Sequence, residues 1–387
     1  MTNGFGGTVI LTDTEYRAAT AVARELGQTG YRVVAAYTGD ETPLSARSKY
    51  VSERVRLDAA RELPTDDAYA DGILELARRE NTVIFPAGAR TTRIMAARRE
   101  EFSRFTLISD AETLKRANDK PTVAAMAREL GIRVPETLSL KDADSFNYPV
   151  VVKYADGEAL GITAAGRYAI ARNRAELDAA VLKMQAHPYF ISEYIRGAGY
   201  GVSVLTDRQR RPVRVFCHER LREYPLTGGP SVACRSVWCE NMARDAVRLL
   251  QAMNFEGLAM VEFRGTPETY AVLEINPRVW GSYPLSYLAG AGFATAFARA
   301  ASGEELPQSI TPEYKTGVVM QYFISGARWA AASAVAKKSP IPLLKYASDI
   351  INPRVRHGLW SARDPKPGLR YLRSLRIFSC LSRRTGV

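Results

Sequence analysis

The chain has 387 residues, of which 46% are apolar, and its four cysteines form no CxxC pair. At about 150 residues per domain, this length predicts two or three domains with ample core, which argues against a largely disordered chain. No run reaches the ~18 consecutive apolar residues of a membrane-spanning helix, and the first residues lack a basic segment followed by a long apolar run. We therefore expect a cytoplasmic protein.

The net charge of +12 is concentrated near the C-terminal end of the sequence. Residues 337–387 contain twelve Lys or Arg against two Asp, so the preceding 336 residues are close to neutral. A protein built to bind nucleic acid carries its positive charge across the binding domain. We therefore expect no nucleic-acid partner.

The first 115 residues alternate predicted strands with predicted helices. Apolar runs and helical spacing give strands at 8–13, 31–36, 82–86 and 105–109, and helices at 15–26 and 68–79. We expect Gly27 to end the first helix. Strands and helices that alternate at this spacing predict a parallel, doubly wound sheet.

Two phosphate-binding signatures are missing from this N-terminal region. Gly4, Gly6 and Gly7 precede the first strand, whereas the dinucleotide fingerprint places its glycines directly after that strand. A Walker A loop ending in Gly-Lys-Ser/Thr is also missing. The sequence therefore argues against a dehydrogenase, and phosphate-binding residues must be sought further along the chain.

A Lys and a glycine-containing loop occur in the middle of the chain. Lys153 stands near the end of an apolar strand predicted at 147–154, and the following loop, 156–166, contains Gly157, Gly161 and Gly166. A strand can hold a Lys against phosphate oxygens, and glycines let backbone N–H groups approach a phosphate. Taken alone, the pattern also fits a solvated Lys beside ordinary turns.

Three oxygen-bearing side chains follow on two predicted antiparallel strands. Residues 257–264 and 270–276 are apolar runs joined by a turn at 265–268. Glu274 and Asn276 are two residues apart and share a face, which can also hold Glu262 from the neighbouring strand. Such a set suits Mg²⁺, whereas the alternative is a solvated polar face.

The ordered motifs resemble those of the ATP-grasp ligases over residues 8 to about 308. The resemblance rests on 118–120 (Asn-Asp-Lys), 151–153 (Val-Val-Lys), the loop 156–166, 193–195 (Glu-Tyr-Ile), Glu262 and 274–278 (Glu-Ile-Asn-Pro-Arg). It is closest to the carbamoyl-phosphate-synthase-like branch of carboxylate–amine ligases. The implied fold is α/β, an ATP-grasp fold with an N-terminal doubly wound domain and a small basic helical C-terminal extension.

The resemblance implies four regions along the chain. They are a Rossmann-like pre-ATP-grasp domain at 1–115, a small lobe with the phosphate loop at 116–196, a large lobe with the metal site at 197–308, and a basic, mostly helical extension at 309–387.

The resemblance also assigns the nucleotide contacts. Lys120 and Lys153 would bind ATP phosphates, and the loop carrying Gly157 and Gly161 would close over them. Glu193, with the backbone of Tyr194 and Ile195, would bind the adenine. Many members bind ribose through a carboxylate at the position that is Gly199 here, so the ribose contact departs from the family pattern.

The implied reaction is formation of a C–N bond with release of ADP and phosphate. Glu262, Glu274 and Asn276 would hold one or two Mg²⁺ ions, with Mn²⁺ as a substitute. ATP would convert a carboxylate into an acyl phosphate, which an amine then attacks. Arg278, assisted by Lys153 and Asn276, would stabilise the transferring phosphoryl group and the oxyanion.

Small-molecule carboxylate and amine substrates are the implied partners, and a homodimer is the assembly found in many related enzymes. The candidate substrate residues lie around one predicted loop: Arg220, Arg222, Gly228, Gly229 and Ser231. Each arginine alone also fits an ordinary surface residue. A second function fits the same motifs, namely a nucleotide-binding regulatory or scaffold protein without turnover.

The C-terminal region has a separate pattern. Residues 322–336 have a helical composition, and 369–381 place Arg370, Arg373 and Arg376 along one side of a helix. Such a helix suits an acidic partner or the anionic inner surface of a membrane. The alternative is a solvated basic face on a helix docked to the core.

Overall fold

The computed structural model describes residues 7–58, 62, 64–78, 82–155, 160–162, 166–226 and 229–381, with the backbone alone at 375–381. The strands, in chain order, are β1 Thr8–Leu11, β2 Arg32–Tyr37, β3 Glu53–Arg56, β4 Thr82–Phe85, β5 Thr137–Leu138, β6 Val150–Tyr154, β7 Tyr168–Ala171, β8 Tyr189–Glu193, β9 Ala198–Thr206, β10 Pro212–Glu223, β11 Ser231–Val237, β12 Gly257–Gly265, β13 Tyr270–Asn276, β14 Val319–Gln321 and β15 Val355–His357. The α-helices are α1 Arg17–Gln28, α2 Asp66–Ala77, α3 Ala89–Ala97, α4 Arg99–Phe102, α5 Ala111–Asn118, α6 Lys120–Glu129, α7 Arg174–Met184, α8 Glu240–Ala252, α9 Tyr283–Ala289, α10 Phe293–Ala301, α11 Phe323–Lys337, α12 Ile341–Ile351 and α13 Lys366–Leu381.

The N-terminal sheet is parallel, with strand order β3-β2-β1-β4. This confirms the predicted α/β class. The predicted strand at 105–109 is wrong: this segment lies outside the described strands, although the N–H of Ile84 donates to the carbonyl of Phe105 at 2.8 Å. The segment packs against the start of β12 instead, where Ser109 Oγ donates to the carbonyl of Glu256 at 3.0 Å.

Helix α1 does not end at Gly27, as the sequence predicted, but continues to Gln28. Gly27 is needed for packing, because a Cβ at this position would lie 2.7 Å from the Cβ of Tyr50. The chain turns at Gly30, whose φ of +94° is in the left-handed region that favours glycine. The helix therefore ends one residue later than the sequence predicted.

The small lobe is built on an antiparallel sheet with strand order β5-β8-β6-β7. Strand β6 begins at Val150, three residues later than predicted. Helix α7 covers this sheet, and Val150, Val152, Leu177 and Ile191 belong to a core that the lobe does not share with the rest of the chain.

The large lobe is a seven-stranded sheet with strand order β13-β12-β9-β10-β11-β14-β15. It shares both of its hydrophobic cores with the N-terminal sheet. In one core, Ile10 and Val34 lie with Val202 and Phe263, and in the other, Phe85 packs edge-on against Phe297 at 4.7 Å between ring centroids. The N-terminal sheet and the large lobe therefore bury their apolar faces together.

The C-terminal region contributes two strands to the large sheet and docks on the N-terminal domain. The buried Asp364 accepts from Arg24 Nε at 2.9 Å, from Ser48 Oγ at 2.7 Å and from the backbone N–H of Lys49 at 2.9 Å. Helix α11 confirms the helical segment predicted at 322–336, and α13 covers 369–381. Within the residues that the structure describes, we find no helix long and apolar enough to cross a membrane.

Candidate functional site

Strand register brings Glu262, Glu274 and Asn276 together on the large sheet. Glu262 lies directly opposite Glu274 in the antiparallel pair β12–β13, and a β-bulge follows immediately in the register. Asn276 Nδ2 donates to Glu262 Oε1 at 3.1 Å and to Glu274 Oε1 at 3.3 Å. The three side chains therefore form one contiguous cluster, here called the carboxylate cluster.

Cationic side chains from two other elements contact this cluster. Lys120, the first residue of α6, places Nζ 3.0 Å from Glu274 Oε2, and Arg220 on β10 places Nη2 2.5 Å from Glu262 Oε1. Like charges on adjacent strands would repel each other, so the pair of carboxylates needs nearby positive charge. The two ion pairs provide that charge.

The two carboxylates differ in proton affinity. Burial raises the pKa of Glu262 even though Arg220 opposes the rise. Burial alone would also raise the pKa of Glu274, but the ammonium of Lys120 outweighs burial and lowers it. Glu274 is thus the carboxylate held more firmly in its ionised form.

Lys153 extends from the small lobe toward the same cluster. It lies on β6, opposite Tyr168 of β7 and Phe190 of β8. Burial, together with the neighbouring ammonium of Lys120, lowers the pKa of Lys153 to about 8, although the cluster carboxylates oppose the shift. Because Lys120 and Arg220 already pair with the two carboxylates, the ammonium of Lys153 is an additional positive charge that favours binding of an anion.

Arg278 lies beside the carboxylate cluster. Its Nη2 donates to Asn276 Oδ1 at 3.1 Å, and its Nη1 donates to the carbonyl of Val279 at 3.1 Å. A cavity of about 10 Å³ separates Arg278 from Pro86 at the end of β4. The C-terminal edge of the N-terminal sheet therefore adjoins the arginine.

The predicted adenine-binding residues lie where the small lobe joins the large lobe. Glu193 ends β8 and pairs with Arg133 at 2.5 Å, Ile195 is buried, and the guanidinium of Arg264 lies 6.0 Å from the ring centroid of Tyr194. Gly197, between them and β9, has φ +118°, and a Cβ there would lie 2.3 Å from the carbonyl oxygen of Gly265.

Many ATP-grasp members carry a carboxylate at the position of Gly199, but here a side chain at this position would require Arg220 and Glu223 to shift. A Cβ at residue 199 would lie 2.9 Å from Arg220 Cδ and 3.2 Å from Glu223 Oε1. Glu223 comes from β10 and pairs with Arg220 at 3.2 Å and with Arg264 at 3.4 Å. Its carboxylate thus lies in the space next to Gly199, a contact that sequence spacing does not reveal.

Irregular pairing on β10 separates the two predicted substrate arginines. The β10–β11 register shifts between Arg220 and Arg222, so side chains do not alternate strictly between the two faces of the sheet at this point. Arg220 reaches the carboxylate cluster, whereas Arg222 is buried, pairs with Asp349 and lies 4.5 Å from the ring centroid of Trp329. The structure therefore does not bring Arg222 to the cluster.

The remaining predicted loop residues are described in part. Ser231 begins β11 opposite Glu223, and a Cβ at Gly229 would lie 2.6 Å from the carbonyl oxygen of Tyr224. Gly161 has φ +68°, and no atom of the described residues would lie within 4 Å of a Cβ at this position. Gly157 and Gly228, also predicted as site residues, lie outside the described residues.

His218 is a buried residue beside the site. Its Nε2 lies 3.1 Å from Ser282 Oγ, and burial, with the nearby charge of Arg220, lowers the pKa of His218 to about 3. The imidazole is therefore neutral near pH 7. This environment favours a structural imidazole over a base that cycles through a charged state.

Comparisons with known proteins agree with this arrangement. A family model described as "ATP-grasp in the biosynthetic pathway with Ter operon" matches residues 185–324. The carbamoyl phosphate synthase large chain of Myxococcus xanthus is 24% identical over 288 residues, which are 68% of this chain and 26% of that protein. The chain thus spans about a quarter of the length of this curated relative.

Two solved structures share the fold. The biotin carboxylase domain of the Hydrogenobacter thermophilus 2-oxoglutarate carboxylase, a dimer in complex with MgADP and bicarbonate, superposes with a TM-score of 0.59 at 16% identity, over 80% of this chain and 73% of that one. The L-amino acid ligase from Bacillus licheniformis gives 0.53 at 15% identity, over 78% and 75%. The chain therefore has an ATP-grasp fold, and its sequence is similar to an ATP-grasp family model and to a carbamoyl phosphate synthase.

Proposed function

We propose that this protein is an ATP- and Mg²⁺-dependent ligase that activates a carboxylate as an acyl phosphate and joins it to an amine. The observation that carries the proposal is the carboxylate cluster, with Lys153 and Arg278 directed at it from two sides. Paired carboxylates beside an arginine suit the stabilisation of a phosphoryl group during transfer, so the cluster favours turnover over a purely regulatory role.

The donor set of the cluster fits a hard divalent cation. Within the described residues no three His, Cys, Asp or Glu side chains group as a metal site, so the cluster supplies two carboxylates and one amide. Mg²⁺ commonly takes one or two protein carboxylates and fills its other positions with water and substrate phosphates. Glu262, Glu274 and Asn276 would hold the ion, and bound Mg²⁺ would neutralise charge on the transferring phosphoryl group.

The small lobe would supply most of the nucleotide contacts. Lys153 and Lys120 would pair with ATP phosphates, and the loop at 156–166 would cover them. Glu193, Tyr194 and Ile195 would bind the adenine where the lobes join. Because residue 199 is a glycine and supplies no carboxylate, we assign the ribose contact to Glu223, whose Oε1 adjoins that position.

The proposed reaction has two steps, phosphorylation of the acid and attack by the amine. A carboxylate oxygen of the acid substrate attacks the γ-phosphorus of ATP, and the bond to the β-γ bridging oxygen breaks to release ADP. The amine attacks the carbonyl carbon of the acyl phosphate, phosphate leaves, and the amine loses a proton to give an amide. Arg278 is placed to stabilise the phosphoryl group and the tetrahedral oxyanion, while Arg220 would orient the acid when its pairing with Glu262 opens.

The names of similar proteins support the reaction class but leave the substrates open. One relative is named an L-amino acid ligase, and the biotin carboxylase domain was solved with MgADP and bicarbonate. Both reactions involve a carboxylate-type substrate. We propose small molecules as both the acid and the amine, Mg²⁺ with Mn²⁺ as its substitute, and a homodimer like that of the biotin carboxylase domain.

A substrate screen tests the proposal. The purified protein would be incubated with Mg²⁺-ATP and pairs drawn from a panel of acids and amines, with ADP release followed continuously and the conjugate detected by mass. The proposal predicts ADP release that requires both members of one pair and a product lighter than their sum by one water. Tight ADP binding with no pair that turns over would instead favour the regulatory alternative.

A further inference from the structure

Helices α11 and α12 form a hairpin with an unusual surface, here called the hairpin face. Gly326 of α11 lets the two helices approach, since a Cβ there would lie 2.9 Å from Tyr346 Cε2, and Tyr346 donates to the carbonyl of Phe323 at 2.7 Å. Only Pro342 of the eleven residues in α12 is buried. Helix α12 therefore packs on α11 and leaves most of its own surface in contact with solvent.

The exposed side of α12 is apolar. Ile341, Leu344 and Ile351 recur at helical spacing and are 67%, 66% and 82% exposed, and Val335 near the end of α11 is 80% exposed. Single exposed apolar residues need no explanation, but a contiguous stripe marks an interaction surface. The free energy gained by covering this stripe would drive docking.

Positive charge surrounds this apolar stripe. Residues 323–357 carry six Lys or Arg (Arg328, Lys337, Lys338, Lys345, Arg354 and Arg356) against a single acidic residue, Asp349. Asp349 pairs with Arg222, whereas the structure records no ion pair for the six cations among the residues that it describes. An apolar stripe with uncompensated Lys and Arg matches a surface whose partner is both apolar and anionic.

We propose that the hairpin face docks the protein on an anionic lipid bilayer. The exposed Ile and Leu side chains enter the boundary between headgroups and acyl chains, while Lys337, Lys338 and Lys345 contact the anionic headgroups. A second copy of this chain is disfavoured as the occupant, because it would place two uncompensated positive faces against each other.

Docking at this face would orient the candidate site. Arg222 connects α12 to β10 through Asp349, and it follows Arg220, which contacts the carboxylate cluster. Leu221 and Leu226, at and just beyond the end of β10, are also exposed. Because the ion pair of Arg222 with Asp349 joins α12 to β10, docking at the hairpin face would bring the end of β10 toward a membrane-associated substrate.

Vesicle flotation with a matched pair of double variants tests the proposal. Leu344→Ser/Lys345→Glu alters the hairpin face, and Leu182→Ser/Lys183→Glu alters an equivalent Leu-Lys pair on α7, where Leu182 is 69% exposed. Mixed phosphatidylcholine–phosphatidylglycerol vesicles would be compared with pure phosphatidylcholine. We expect the wild type and the α7 variant to float with the anionic vesicles only, and the α12 variant to lose about tenfold or more in partitioning.

Three outcomes would overturn the proposal. The first is that the wild type does not float, and the second is that both double variants float equally. The third is that sedimentation equilibrium without lipid shows a dimer of the wild type and of the α7 variant but a monomer of the α12 variant. Thermal unfolding of each variant shows whether it folds. If the α12 variant does not fold, Lys337→Glu/Lys345→Glu replaces it, with the same expected loss, because both side chains are exposed.

Discussion

The small lobe and the large lobe differ in how their hydrophobic cores are built. The small lobe buries its own core around Val152 and Leu177, whereas the large lobe buries both faces of its sheet together with the N-terminal domain. The candidate site takes Lys153 from the former and the carboxylate cluster from the latter. A lobe with a separate core can open and close without disturbing the other core.

This difference in core structure suggests different roles for the two lobes in the candidate site. The large lobe is rigidly supported, so it can hold side chains whose mutual distances matter for phosphoryl transfer. The small lobe is joined to the large lobe near Gly197, and we propose that it brings Lys153 to a nucleotide after binding.

Glu274→Gln should remove the ionised carboxylate of the large lobe and with it the charge that holds Mg²⁺. We expect kcat to fall about 1,000-fold, since metal-assisted charge stabilisation supplies several kcal/mol. Glu268→Gln, on the exposed turn between the same strands, is the control and should keep full activity. Steady-state ADP release measures both, and more than a tenth of wild-type activity in Glu274→Gln would contradict the metal role.

Lys153→Met should weaken the contact that the small lobe makes with phosphate. Loss of one charge-assisted hydrogen bond, about 1.5–3 kcal/mol, predicts ADP binding weaker by about 10- to 100-fold. Lys183→Met on α7 of the same lobe is exposed and serves as the control. Calorimetric titration without Mg²⁺ measures the change, and equal affinities for the two variants would exclude Lys153 from the phosphate site.

Val152→Ala should loosen the small lobe alone. The side chain is fully buried in the core of that lobe, and removing two methyl groups costs about 2 kcal/mol. Hydrogen exchange should then quicken in β5–β8 while amides of β1 and β4 keep their protection. Val202→Ala, in the shared core, should quicken exchange in both the large lobe and the N-terminal sheet. Uniform loss of protection in Val152→Ala would refute the separate core.

Nucleotide affinity should depend on pH through Lys153. Burial lowers the pKa of Lys153 to about 8 in the free protein, and a bound phosphate favours the charged ammonium, so binding raises that pKa. ADP affinity without Mg²⁺ should therefore fall as the pH rises above about 8, by at most about tenfold per pH unit. Lys153→Met should abolish this slope, and a wild-type curve without it would contradict the assignment.

The sequence predicted the fold well because its signals are local. Apolar runs predicted most strands within a few residues, as at 82–86, where the structure has β4 at Thr82–Phe85. The segment 105–109 failed because its apolar composition suits burial of any kind: it packs against β12 rather than joining the sheet. The composition of a segment indicates whether it is buried. Whether it forms backbone hydrogen bonds with a neighbouring strand depends on the tertiary structure.

The candidate site was predictable where it depends on alternation along one strand, as with Glu274 and Asn276. It was not predictable where pairing is irregular: the register shift at Leu221 separates Arg222 from Arg220. The pairings of Lys120 with Glu274 and of Glu223 with Arg264 join residues far apart in sequence. Contacts of that kind leave no periodic signal in a single chain.

Anomalous diffraction from crystals grown with Mn²⁺ and ADP tests the central claim most directly, because Mn²⁺ substitutes for Mg²⁺ in oxygen-ligand sites. The account predicts a manganese peak about 2 Å from oxygen atoms of Glu262, Glu274 and Asn276, with the ADP phosphates on its other side and Lys153 in contact with them. Ordered ADP with manganese away from these three side chains would contradict the account.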